Sequence, residues 1–194
     1  MNPILKPEII IPDTSPLIHL AAAGMLNLLN QAGEVVLVDM VVLEATERLD
    51  KPYARDIADW IKECLKPGSN QPLRIVQTEI GELYAAKKLV DPVYKSRGAG
   101  EAAVLMWLSE EVEKTGREVM VVYENGKVPE LIRRNALDID IAVLTTRAFL
   151  RFAAEKGYID DAEAVWRAIA AVVPSVSAAD DRFIRRRSFT DTIF

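Results

Sequence analysis

Apolar and polar positions alternate between two periods along most of the chain. The short apolar run Ile9 to Ile11 reads as a strand buried on both faces, and Val35 to Val38 and Val119 to Tyr123 read as further strands. Leu73 to Gln77 and the weaker Ile139 to Leu144 read as two more. Helical spacing fills the intervals. The first helices run from Leu17 to Ala23, ended by Gly24, and from Met25 to Gln31, closed near Gly33. A third covers about Met40 to Leu49, where Pro52 interrupts the pattern. Tyr53 to Leu65 carries Ile57, Trp60, Ile61 and Leu65 on one face. After the loop from Pro67 to Pro72, the pattern predicts helices from Glu79 to Leu89 and, opened by Arg97-Gly98-Ala99-Gly100, from about Glu101 to Lys114. Val128 to Asn135, Arg147 to Lys156 and Asp161 to Ala171 complete the set.

Strand and helix in alternation predict an α/β fold with a mainly parallel sheet. Residues 1–171 form the expected domain, and 172–194 break the pattern as a C-terminal tail. Arg182, Arg185, Arg186 and Arg187, interleaved with Phe183 and Phe189, make the one dense basic cluster there. A solvated tail is its plain reading, and an RNA or partner contact through Arg185, Arg186 and Arg187 is the alternative.

Composition narrows the chemistry. With 194 residues, half of them hydrophobic, the chain can bury a proper core. No apolar run is long enough to cross a bilayer, and the N-terminus lacks the layout of a signal peptide, so no membrane role is expected. The lone Cys64 rules out an internal disulfide and fits a reducing cytosol, which makes the cytoplasm the expected compartment. One His and one Cys also leave no zinc site of the usual kind. His19, in the apolar stretch PLIHLAAAG, reads as a core or surface residue. A net charge of −5 argues against broad, nonspecific binding of nucleic acid, but is compatible with clustered metal-binding carboxylates. Such clusters take hard cations, Mg²⁺ or Mn²⁺.

The carboxylates stand at telling positions. Asp13 follows the Ile run and Pro12, at the C-terminal edge of a central strand, where open α/β sheets bind ligands. It would otherwise be a turn or cap residue, with Thr14 or Ser15 as caps for a helix near Pro16. Glu101 lies three and four residues before the apolar stripe begun by Val104 and Leu105, so it points inward from a first helical turn. An acid is favoured there by the helix dipole, yet an inward carboxylate is costly unless a cation compensates it. Gly98 and Gly100 before it permit close approach. Glu44 and Glu47 compete on the helix after strand two, and periodicity does not choose between them. Glu124 follows strand four and reaches the same edge as Asp13. Acids arriving there from separate segments are how a metal site that activates water and holds a phosphate is assembled.

In these segments the chain resembles the PIN-domain family, in the branch of VapC-like toxin ribonucleases. Asp13-Thr14-Ser15-Pro16-Leu17-Ile18 is similar to the family's opening, Val41-Val42-Leu43-Glu44 to its Val-x-x-Glu, and Gly98-Ala99-Gly100-Glu101 to its Gly-x-Gly-Glu. The second match selects Glu44 over Glu47. The resemblance spans residues 8 to 160 and leaves the basic tail uncovered. It implies a three-layer α/β/α fold with a sheet of about five strands. It also implies an endoribonuclease using Mg²⁺ or Mn²⁺ held by Asp13, Glu44, Glu101 and Glu124, with Ser15 as a supporting or phosphate-contacting hydroxyl. RNA would be the substrate, a small antitoxin protein the silencing partner, and a homodimer the assembly. The fourth segment departs from the branch, which usually carries two Asp residues where this chain has Tyr123-Glu124; Val128-Pro129 also replaces basic and small residues.

That departure motivates a second reading, a PIN-like binding or assembly module that has lost catalysis. A phosphoacceptor domain built on Asp13 would want an acidic pair and a strand-end Lys, and a nucleotide-binding domain a Gly-rich first loop. The sequence has neither arrangement.

Overall fold

A computed structural model describes residues 7–95, 98–112, 116–124, 141–173 and, by their backbone, 183–186. Its centre is β1 (Ile9–Pro12), whose residues are all buried. β1 lies between β2 (Glu34–Val38) and β4 (Val119–Tyr123), parallel to both, with Ile9 beside Glu34 on one side and Val119 on the other. β3 (Leu73–Val76) extends the sheet past β2, and β5 (Ile141–Thr145) past β4, again in parallel. The order is β3-β2-β1-β4-β5-β6.

The continuous apolar runs become strands because helices cover both faces, and every residue of β4 and β5 is buried. These helices are α1 (Thr14–Ala22), α2 (Asn27–Ala32), α3 (Asp39–Thr46), α4 (Ala54–Cys64), α5 (Glu79–Val90), α6 (Ala99–Trp107), α7 (Thr146–Glu155) and α8 (Ala162–Val172). The result is a three-layer α/β/α arrangement with five parallel strands, as expected. No helix among the described residues is long and apolar enough to cross a membrane.

Several elements differ in detail from the sequence pattern. The helix expected over Glu101 to Lys114 is α-helical only over Ala99–Trp107 and continues as a π-helical turn over Leu108–Val112. The expected helix Val128 to Asn135 lies outside the described residues. In the stretch read as a tail, Phe183–Arg186 form β6, antiparallel to β5, with Phe183 beside Leu144, Arg185 beside Ala142 and Arg186 beside Ile141. That register sets the backbone of Arg185 and Arg186 toward the start of β5, away from the sheet's C-terminal edge; Arg187 lies outside the described residues.

Strand order reverses at β1. The chain proceeds outward to β2 and β3, then returns to place β4 on the other side of β1. In doubly wound sheets the crevice at such a reversal is where ligands bind. The C-terminal ends of β1 and β4 deliver Asp13 and Glu124 to it.

Candidate functional site

Three strand ends meet at this edge. Pro12 pairs with Val122, and the main-chain N–H of Asp13 donates to the Val122 carbonyl at 2.8 Å, so Asp13 and Glu124 leave adjacent strands almost level. Tyr123 pairs with Thr145, which puts the start of α7 alongside. The proline suits its place. Lacking an N–H, it can close a central strand but not continue it.

Asp13 occupies the N-cap position of α1, yet its side chain makes no capping hydrogen bond. What ties the carboxylate to the helix start is the Thr14 main-chain N–H alone. Burial pushes its pKa up from 3.8 to about 6; the nearby Thr14 main-chain N–H works the other way, and the charges of Glu44, Glu101 and Glu124 add to the rise. Asp13 is thus the residue on which the other three predicted acids act electrostatically.

Glu44 reaches the site from the last half of α3. Thr14 Oγ1 donates to its Oε2 at 3.0 Å, and the main-chain N–H of Gly100 donates to its Oε1 at 3.3 Å. Glu47, just past the end of α3, instead pairs with Lys88 of α5 at 3.2 Å, so Glu44 and Glu47 take different neighbours. Glu101 stands half-buried in the first turn of α6. Gly98 opens that turn in the left-handed region (φ +72°), and a Cβ there would come within 3.4 Å of Glu101 Oε2. A Cβ on Gly100 would come within 3.0 Å of Glu44 Oε2. The Gly-Ala-Gly sequence thus lets α6 begin hard against two carboxylates.

Glu124 is held differently. Its Oε1 accepts from the main-chain N–H of Thr146 at 2.9 Å, in the first turn of α7, and lies 3.5 Å from His19 Nδ1. Burial alone would raise its pKa, but the contacts with His19 and Thr146 outweigh that and hold it below the ordinary carboxylate value. Ser15 is half-buried in the first turn of α1. Tyr123 is buried at the end of β4.

Three further side chains take part. Thr14 had been legible only as a cap candidate, whereas it orients Glu44. His19 is buried and faces Glu124 and Thr146, with its ring edge-on to Trp166 at 6.1 Å between centroids. Thr146 carried no signal at all. A hydroxyl at a helix start is common, and nothing local says which acid its main-chain N–H will meet.

Among the described residues, no three of His, Cys, Asp and Glu are close enough together to hold a metal ion as their side chains stand. Joint ligation by the four acids would need side-chain rotation from the positions described. The donor set is nevertheless all carboxylate, and α6 approaches it without a Cβ at Gly100. Both features suit a hard divalent cation. Compared with protein-family models and with curated protein sequences, the chain matches none.

Proposed function

We propose that this chain is a metal-dependent endoribonuclease of the PIN-domain kind. The observation that carries the reading is Asp13. It sits where a cap belongs, does not cap, and lies in the field of Glu44, Glu101 and Glu124 from separate elements. A carboxyl raised by burial and by neighbouring acids at a ligand-binding edge is a functional-site candidate.

On this reading Asp13, Glu44, Glu101 and Glu124 hold Mg²⁺ or Mn²⁺. When bound, the ion supplies Lewis acidity, which eases loss of a proton from water and offsets charge on phosphoryl oxygens. The chain's own residues do the positioning. Thr14 and the Gly100 N–H orient Glu44, and Thr146 orients Glu124. Ser15, half-buried two residues after Asp13, is the hydroxyl this reading assigns to a phosphate oxygen. RNA as substrate, a small antitoxin partner, a homodimer and a toxin's role follow from the resemblance alone.

The test is RNA cleavage by the purified protein with Mg²⁺, Mn²⁺ or EDTA, run beside Asp13→Asn. Cutting that needs metal and vanishes in the variant is the expected result. Cutting at the wild-type rate by a folded Asp13→Asn would remove Asp13 from the site.

One observation favours the second reading, a binding or assembly module without catalysis. Glu124 stands where the branch has Asp, and its extra methylene shifts the carboxylate by about one bond length, which suits poorly the strict geometry of Mg²⁺. Calorimetry with Mn²⁺ separates the two readings, because micromolar binding that Asp13→Asn abolishes speaks against the module.

A further inference from the structure

His19 is a buried imidazole on an otherwise apolar helix face. Nδ1 lies 3.3 Å from Thr146 Oγ1 and 3.5 Å from Glu124 Oε1. The same Glu124 oxygen accepts the Thr146 main-chain N–H at 2.9 Å. Two elements far apart in sequence, α1 and α7, thus close on one oxygen of one acid. The carboxylate's other oxygen is left out of this clamp. The ring also meets Trp166 edge-to-face, with 6.1 Å between centroids.

We propose that His19 is a positioning residue: together with the Thr146 N–H it pins Oε1 of Glu124, so that the remaining oxygen faces the Asp13 edge and serves a divalent cation. The proposal rests on the reading of this edge as a cation site. Glu has one more rotatable bond than Asp, so a Glu at this place has more freedom to lose before it can act as a ligand. A clamp on one oxygen removes that freedom. Groups that orient ligating side chains in this way typically change metal affinity by about 10-fold to 100-fold when removed.

The experiment compares His19→Asn with His19→Leu in the full chain. Asn keeps an N–H close to the place of Nδ1, whereas Leu fills the volume and donates nothing. Calorimetry with MnCl₂ and NMR hydrogen exchange at the Thr146 amide are read for both. Asn is expected to bind Mn²⁺ within about threefold of wild type, and Leu about tenfold more weakly with faster Thr146 exchange. A Leu variant that matches wild type in both, or an Asn variant that loses the fold, overturns the proposal by showing His19 to be packing. If wild type binds no Mn²⁺ while Leu still speeds Thr146 exchange, the cation reading fails and the clamp on Glu124 stands as a structural device.

Discussion

The main-chain N–H of Gly100 donates to Glu44 Oε1 across 56 positions of sequence, and the same glycine leaves 3.0 Å between an imagined Cβ and Glu44 Oε2. Backbone and carboxylate therefore share a space that any side chain would enter. Glu44 is otherwise exposed, so its far end can give way. Gly100→Ala should leave the fold intact, and could raise stability by up to about 1 kcal/mol through helix propensity. Mn²⁺ affinity should fall, because Glu44 is pushed off its donors. Thermal melts and calorimetry on the same variant check both halves; unchanged affinity would count against Glu44 as a ligand.

Asp13 is destabilising when charged. Its pKa is about 6 in the fold against 3.8 for the free carboxyl, so ionising it costs the folded state more than the unfolded one. The penalty is absent well below pH 3.8, where both states hold the proton, grows between 3.8 and about 6, and levels off above that at no more than roughly 3 kcal/mol. Asp13→Asn should therefore be more stable than wild type at pH 8, with the difference vanishing well below pH 3.8. Mn²⁺ should raise the melting temperature of wild type at pH 8 but not that of the variant. A variant less stable at pH 8 would show that the charge is already compensated.

Gly81 gives the opposite result from Gly100. Its Cβ would fall 1.8 Å from Asp39 Oδ2. Asp39 cannot retreat, since it accepts from the Met40 N–H at 2.8 Å and from the Thr78 N–H and hydroxyl, each at 2.9 Å. Gly81→Ala should cost about 2 kcal/mol despite the better helix former. Denaturant midpoints measure it. The double variant with Asp39→Ala should lose less than the sum of the two singles.

Glu34 provides a control at the far edge of the sheet, where β2 begins beside Ile9. Burial would raise its pKa, but Arg117 at 2.8 Å and Arg74 at 2.7 Å outweigh this and lower it. The stability it contributes is present above its ordinary value of 4.5 and is lost as pH falls through the lowered one. Glu34→Gln should cost about 1 kcal/mol at pH 7, with the difference shrinking on acidification. Mn²⁺ affinity should not change.

The sequence by itself determined the layers and the approach of the acids. Ile9 to Ile11, Val35 to Val38 and Val119 to Tyr123 are apolar at every position, a pattern that is stable only in strands covered on both faces. Asp13 and Glu124 follow such runs directly, so their arrival at one edge was written locally. Local periodicity did not separate Glu44 from Glu47; the resemblance alone chose Glu44, and in the fold the two take different neighbours, Lys88 of α5 for Glu47 and the Gly100 N–H of α6 for Glu44. Tertiary structure likewise decided the partners of Glu124. His19 and Thr146 are 127 positions apart. They meet because strand order reverses at β1, which brings α1 and α7 to the same crevice, and no local periodicity encodes a contact made by the crossing of two helices.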